Sequence, residues 1–161
     1  MVATQPPATT ERFIDSMDGT RLRAVSWDVP EGVEPRADLL FLHGWAEYAE
    51  RYAFPVAYLA PKGFACHGLD VRGHGGSAGE RGYIDHWDQY LDDVEAWLGD
   101  SSSANGDRPT YLIAHSQGGL IATRLLETRG PQGLAGFILS SPFLALARPL
   151  TWIERFMSQK L

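Results

Sequence analysis

The chain has 161 residues, about the length of one domain, and a single cysteine, Cys66, which excludes an internal disulfide framework and points to a reducing, intracellular setting. Its 14 Lys plus Arg against 20 Asp plus Glu leave a net charge of −6, which argues against docking on nucleic acid or on an anionic membrane. Hydrophobic residues make up 44% and charged residues 21%, ordinary for a globular domain, and no apolar run approaches the roughly 18 residues of a membrane span.

Residues 1–10 hold no basic cluster followed by an apolar stretch, so they do not read as a secretory signal and are expected to form a disordered lead. Arg12–Met17 and Leu22–Trp27 are β-type runs on either side of Asp18-Gly19, a pair suited to positive φ, which predicts an opening hairpin. Leu39–Leu42, Phe64–Leu69, Thr110–Ala114 and Gly136–Ser140 are short, nearly continuous apolar runs, the pattern of parallel strands covered on both faces. Between them Tyr52, Val56, Leu59 and Ala60, and then Trp87, Tyr90, Leu91, Val94 and Leu98, recur at helical spacing. A third helix is predicted from Gln117 to Arg129, stopping at Gly130-Pro131. Ser101–Arg108 reads as a polar loop, and Asp88, Asp92 and Asp93, off the apolar stripe of their helix, as a solvated face. Leu150, Trp152, Ile153, Phe156 and Met157 look like the start of a helical cap. The alternation predicts an α/β fold with a mostly parallel sheet and helices on both faces. The expected division is a lead over 1–10, a core over 11–141 and the start of a cap helix over 142–161.

Ala114-His115-Ser116-Gln117-Gly118-Gly119 falls between a predicted strand and a predicted helix, so Ser116 stands on a tight strand-to-helix turn. Such a turn strains the backbone, demands small flanking residues and exposes the hydroxyl beside a helix N-terminus, which suits a nucleophile. Gly118 meets the second small position, and Ala114 replaces the usual first glycine. Taken alone, a five-residue pattern leaves an ordinary βα turn equally open. Upstream, the Leu39–Leu42 run leads into His43-Gly44-Trp45-Ala46. Acyl transfer needs two backbone N–H donors on the oxyanion, and the candidates are Gln117, next to the serine, and Trp45, with Gly44 allowing close approach.

Three blocks occur in order: HGWAEYAERY at 43–52, DVRGHGGSAGERG at 70–82 and AHSQGG at 114–119. With them the chain resembles the monoacylglycerol lipase and lysophospholipase group of α/β-hydrolases, S33 aminopeptidase-like hydrolases, over roughly residues 11–145. The first block is similar to that group's HG-x-x-E-H-x-x-RY with Tyr48 in place of the histidine, and the second matches its D-x-R-G-H-G-x-S-x-G-x-R-G throughout. The resemblance implies an α/β-hydrolase fold and a serine esterase or lipase acting on small lipid esters, with Ser116 as nucleophile, Trp45 and Gln117 as oxyanion donors, and no metal or organic cofactor. Two other readings stay open: a non-catalytic binding or interaction module on the same fold, and a peptidase or other acyl hydrolase.

The remaining polar residues have plainer uses. Asp70, Arg72 and His74 are expected to hold loops by charge-assisted hydrogen bonds, and Glu47 with Arg51 to form a local ion pair. Gly73-His74-Gly75-Gly76-Ser77-Ala78 fits a dinucleotide-binding spacing, but Gly79-Glu80-Arg81-Gly82 continues as loop where that motif needs a helix. Lys62 and Lys160 are the only lysines, so no phosphate loop of the G-K-S type exists. His43, His67, His74, His86 and His115 show no zinc-type spacing; His115 should point away from Ser116, and Cys66 should be a small buried hydrophobe. In this fold the triad acid and histidine follow the serine, yet residues 117–161 contain no His and no Asp, only Glu127 and Glu154. The expectation is therefore the incomplete C-terminal edge of an α/β-hydrolase: an amino-terminal part of a longer cytoplasmic enzyme, with the missing portion as a candidate partner and at most feeble activity in this chain alone.

Overall fold

Asp18 and Gly19 make the first turn as their chemistry requires: Gly19 sits at φ 80, and the Asp18 carboxylate accepts the Thr20 N–H at 3.0 Å. The structure, a computed structural model, describes residues 8–145, so residues 146–161 of the cap expected over 142–161 and residues 1–7 of the expected lead lie outside the described residues. Strand β1 (Thr9–Asp15) pairs antiparallel with β2 (Arg21–Trp27) from Thr9↔Trp27 to Asp15↔Arg21. Thr9 and Thr10, assigned to the lead from sequence, are strand residues.

Four further strands, β3 (Ala37–Leu42), β4 (Phe64–Leu69), β5 (Thr110–His115) and β6 (Gly136–Ser140), complete a six-stranded sheet of order β1-β2-β4-β3-β5-β6. β2 meets β4 antiparallel, and the remaining pairs are parallel. The chain leaves β3 for β4 on one side and returns as β5 on the other. The crevice outside the carboxyl ends of β3 and β5 is thus a topological switch point, where open α/β sheets place their sites.

Side-chain alternation divides β3 between two cores. Leu40 and Leu42 face α2 (Asp88–Asn105) and α3 (Gln117–Arg129), packing with Leu91, Trp97, Leu112, Ile121 and Leu125. Leu39 and Phe41 face α1 (Ala53–Leu59), with Trp27, Val56 and Cys66. Both faces of the sheet are covered by helices, as the continuous apolar runs predicted.

Two further sequence expectations are corrected. The stretch beginning at Ser101 is not loop, because α2 continues to Asn105. Ser101 is buried, and its hydroxyl accepts from Arg12, whose Nε also pairs with Asp100 at 2.7 Å. Asp93 is not on a solvated face: it is 1% exposed and takes a bidentate pair from Arg72, both bonds 2.6 Å. Arg72 also reaches Asp18 at 2.8 Å, so one guanidinium ties the β4 exit, the first hairpin and α2 together. Asp70, fully buried, accepts from the Ala49 and Gly76 N–H groups and from Arg23. At the other end of the sheet Asp38 takes bonds from His67 and Arg108, while His67 also meets Ser26 at 2.9 Å. Burial alone would raise the Asp38 pKa; the His67 and Arg108 bonds outweigh it and hold the carboxyl below its ordinary value.

Candidate active site

Ser116 occupies the single residue between the end of β5 and the start of α3, with φ 51 and ψ −115, a left-handed conformation that costs a non-glycine residue about 1–3 kcal/mol. Neighbouring backbone holds it there. Its N–H donates to Ser140 O at 3.2 Å, and its carbonyl accepts from Leu120 at 3.2 Å and Phe143 at 2.9 Å.

The small residues around it each answer a close approach. A Cβ on Gly44 would lie 2.9 Å from the Ser116 Cβ, so the loop after β3 runs directly against the serine. A Cβ on Gly118 would lie 2.5 Å from the carbonyl oxygens of Leu42 and His43, and one on Gly119 would lie 2.7 Å from the Pro142 Cβ. Ala114, where the sequence pattern usually has glycine, is fully buried, its methyl absorbed into the α2–α3 core.

Trp45, Ser116, Gln117 and Phe143 line a cavity of about 350 Å³. The backbone N–H groups of Trp45 and Gln117 have no hydrogen-bond partner among the described residues, and Gln117 opens α3, whose N-terminus carries partial positive charge. The Gln117 side chain reaches Tyr90 Oη at 3.4 Å. The Trp45 indole is 55% exposed and meets the His74 ring edge-on at 5.3 Å, forming a wall of the cavity. The structure therefore brings Ser116, Gln117, Trp45, Gly44, Gly118 and Gly119 together.

No histidine bonds to the Ser116 hydroxyl among the described residues. His43 is 1% exposed; its Nδ1 donates to Gly44 O at 2.7 Å and its Nε2 accepts the Val71 N–H at 3.0 Å, which fixes a neutral ring. Burial pushes its pKa below the ordinary imidazole value. His115 turns to Ser140 O at 2.9 Å, and His74 to Arg72 O at 3.0 Å. The Cys66 thiol, on β4 away from the site, is pushed by burial up to about 12, which removes it as a nucleophile.

One contributor was missed from sequence. Glu47 makes the expected pair with Arg51 at 3.3 Å, but its other oxygen accepts the Gly44 N–H at 3.1 Å, so it also fixes the loop that touches Ser116. The i, i+3 spacing of a carboxylate after a glycine turn was the available signal. Among the described residues no group of three or more His, Cys, Asp and Glu is placed to hold a metal ion, and no helix is long and apolar enough to cross a membrane.

The chain is similar in sequence and in fold to known hydrolases. The family described as Serine aminopeptidase, S33, matches residues 33–161. Phospholipase YtpA of Bacillus subtilis is 33% identical over 112 residues, which are 70% of this chain and 42% of that protein. Human monoglyceride lipase is 33% identical over 132 residues, 82% of this chain and 42% of its own length. A thermostable carboxyl esterase from Bacillus coagulans superposes with a TM-score of 0.72 at 26% identity, over 82% of this chain and 44% of the esterase. The chain thus spans less than half the length of these relatives.

Proposed function

The chain belongs to the serine aminopeptidase S33 family and has the α/β-hydrolase fold, and from that premise we propose that it performs acyl transfer from carboxylic esters of lipid type through Ser116. The observation that carries this reading is the strained Ser116 backbone at the N-terminus of α3, with Gly44 packed against its side chain. In the proposed reaction Ser116 Oγ attacks the acyl carbon and passes its proton to a base, while the Trp45 and Gln117 N–H groups hold the oxyanion. The ester C–O bond then breaks, the alcohol leaves with that proton, and water releases the acid from the acyl-serine. In this reading the base and the acid that orients it come from residues outside these 161, since no histidine bonds to the Ser116 hydroxyl among the described residues. An intracellular setting goes with the reading, because nothing in it needs a disulfide.

The test has two arms. In a chain that also supplies the base, a fluorophosphonate should modify Ser116, and Ser116→Ala should lower ester turnover by on the order of 10⁴- to 10⁶-fold. Labelling elsewhere, or near-parental turnover in the variant, would overturn the assignment. The 161 residues alone should hydrolyse an activated short-chain ester no faster than about 10³–10⁴ over water. Turnover on the order of 10 per second, abolished by Ser116→Ala, would show that a described histidine serves as base after all. A non-catalytic binding module is favoured by one observation, the absence of a histidine at the Ser116 hydroxyl among the described residues. Failure of a chain that also supplies the base to take the phosphonate would favour it.

A further inference from the structure

Trp45 serves the proposed reaction through two sets of atoms. Its backbone N–H is an oxyanion donor, which any residue but proline would supply, whereas its indole walls the cavity at Ser116 and Gln117, which only a large side chain does. The seat of that indole is set by the loop after β4, a stretch the acyl transfer itself leaves unused. A Cβ on Gly82 would lie 2.7 Å from Trp45 Cη2 and 2.9 Å from Cζ2, so loop backbone stands directly behind the benzo ring. The His74 ring meets the same indole edge-on at 5.3 Å. Both are held in turn: the Gly82 N–H donates to Gly73 O at 3.4 Å, and His74 Nδ1 bonds to Arg72 O at 3.0 Å. On the backbone side, Gly44 is fixed by Glu47 and Ala46 stands at φ 57, so the residues flanking Trp45 are also constrained. An indole backed by main chain has no room to retreat toward that loop when a ligand presses on it.

The other aromatic wall is Phe143, whose N–H donates to Ser116 O at 2.9 Å. The space of about 350 Å³ has room for about a dozen non-hydrogen atoms at roughly 30 Å³ each. A carbonyl whose oxygen takes the Trp45 and Gln117 N–H groups, and whose carbon meets Ser116 Oγ, starts its chain in this space beside the two rings. Each methylene that stays inside gains roughly fourfold in affinity, while one pressed on a wall that does not yield loses by overpacking. We infer that the Trp45 indole sets the length of acyl chain accepted at Ser116, favouring acyl groups of about four to eight carbons over longer ones. The inference deepens the proposed function and rests on it for the acyl group being the part of the ester in this cavity; the wall itself needs no chemistry at Ser116. Because the side chain sets the limit and the main chain gives the oxyanion donor, the two roles separate on substitution.

Binding is read first on the 161-residue chain, without any catalytic step. Butanoate, hexanoate, octanoate and dodecanoate each carry a carboxylate for the two N–H donors and a chain for the cavity. In ¹H–¹⁵N spectra they should shift the Gln117 backbone amide saturably, with affinity climbing up to about fourfold per methylene as far as octanoate and no further at dodecanoate. In Trp45→Ala, dodecanoate should bind at least about tenfold more tightly than octanoate. No saturable shift, no plateau in the wild type, or the same plateau in the variant would overturn the inference. Turnover is read second, in a chain that also supplies the base. The kcat/KM of a 4-nitrophenyl dodecanoate relative to the hexanoate should rise at least about tenfold in Trp45→Ala and less in Trp45→Phe, a ratio that a merely structural role would not move. Because the indole is half exposed, both variants should keep the wild-type urea midpoint. An unchanged ratio would overturn the inference. So would a response to the length of the alcohol in a series of alkyl acetates, which would give the cavity to the leaving group. Failure of Ser116 to take a phosphonate would end the acyl-transfer reading and leave the alkanoate series standing.

Discussion

At Gly118 the packing leaves no room for a methyl group, because two backbone carbonyls at the end of β3 stand where a Cβ would go. Backbone cannot swing aside as a side chain can. Gly118→Ala is expected to destabilise the fold by about 1–3 kcal/mol, seen as a lower urea midpoint, by forcing α3 off β3; an unchanged midpoint would contradict this packing. His43 gives a pH signature with a definite sign. Its folded pKa is depressed by burial, so the unfolded chain binds the proton more readily, and stability is fully present above about 6.5 and is lost as pH falls through that value toward the folded pKa. The unfolding free energy should fall below pH about 6.5 with a slope of up to about 1.4 kcal/mol per pH unit from this one group. His43→Gln keeps a donor and an acceptor without titrating, and should remove that part of the slope; parallel pH profiles for the two proteins would refute the assignment.

Among the elements, α2 shows what the sequence could and could not reveal. Its first half was legible from Trp87, Tyr90, Leu91, Val94 and Leu98, whose spacing marks a buried stripe. Its last turns were not, since Ser101–Asn105 carries no apolar repeat and Ser101 is held by a hydrogen bond from Arg12, 89 residues away in sequence. Asp93 was misplaced for the same reason: an aspartate off the stripe looks solvated until a distant arginine is known to meet it. The strands and α3 were readable because continuous apolar runs and the Gly130 stop are local signals, and Ser116 with its glycines was readable because a tight turn constrains neighbouring residues. The role of Glu47 toward Gly44 was signalled only by their i, i+3 spacing, which the more obvious i, i+4 pair of Glu47 with Arg51 masked. The Arg72–Asp93 pair lends itself to a double-mutant cycle. Asp93→Leu or Arg72→Met alone should lose about 3–5 kcal/mol by stranding a buried charge, whereas the two together should lose less than either single change. Additive losses in urea unfolding would mean that the two side chains act independently.

Across the whole molecule the sheet is unequal at its two edges. β1 carries Glu11 and Arg12 and has its outermost residues in contact with α2 through Arg12. β6 reads Gly-Phe-Ile-Leu-Ser, pairs only with β5 among the described residues, and leaves Phe137 52% and Ile138 55% exposed. An uncharged apolar edge strand is a template for pairing with other chains. The 161-residue protein should therefore associate with rising concentration, and Ile138→Lys should reduce that association in light scattering without lowering the urea midpoint. Equal scattering from the two proteins would place the sticky surface elsewhere.

Cys66 lies on β4, between β2 and β3, fully buried, with a thiol that ionises only near 12. That makes it a chemical clock for the molecule. An alkylating reagent in neutral buffer meets neither an exposed sulfur nor an appreciable thiolate fraction while the sheet is closed. Modification must wait for β4 to part from its neighbours, and when reclosing is fast the rate reports the fraction of time the centre of the sheet spends open. Since this is the chain's one thiol, the whole signal comes from that single strand. Comparing its rate with the loss of backbone amide protection would tell whether β4 opens by itself or only with the complete sheet.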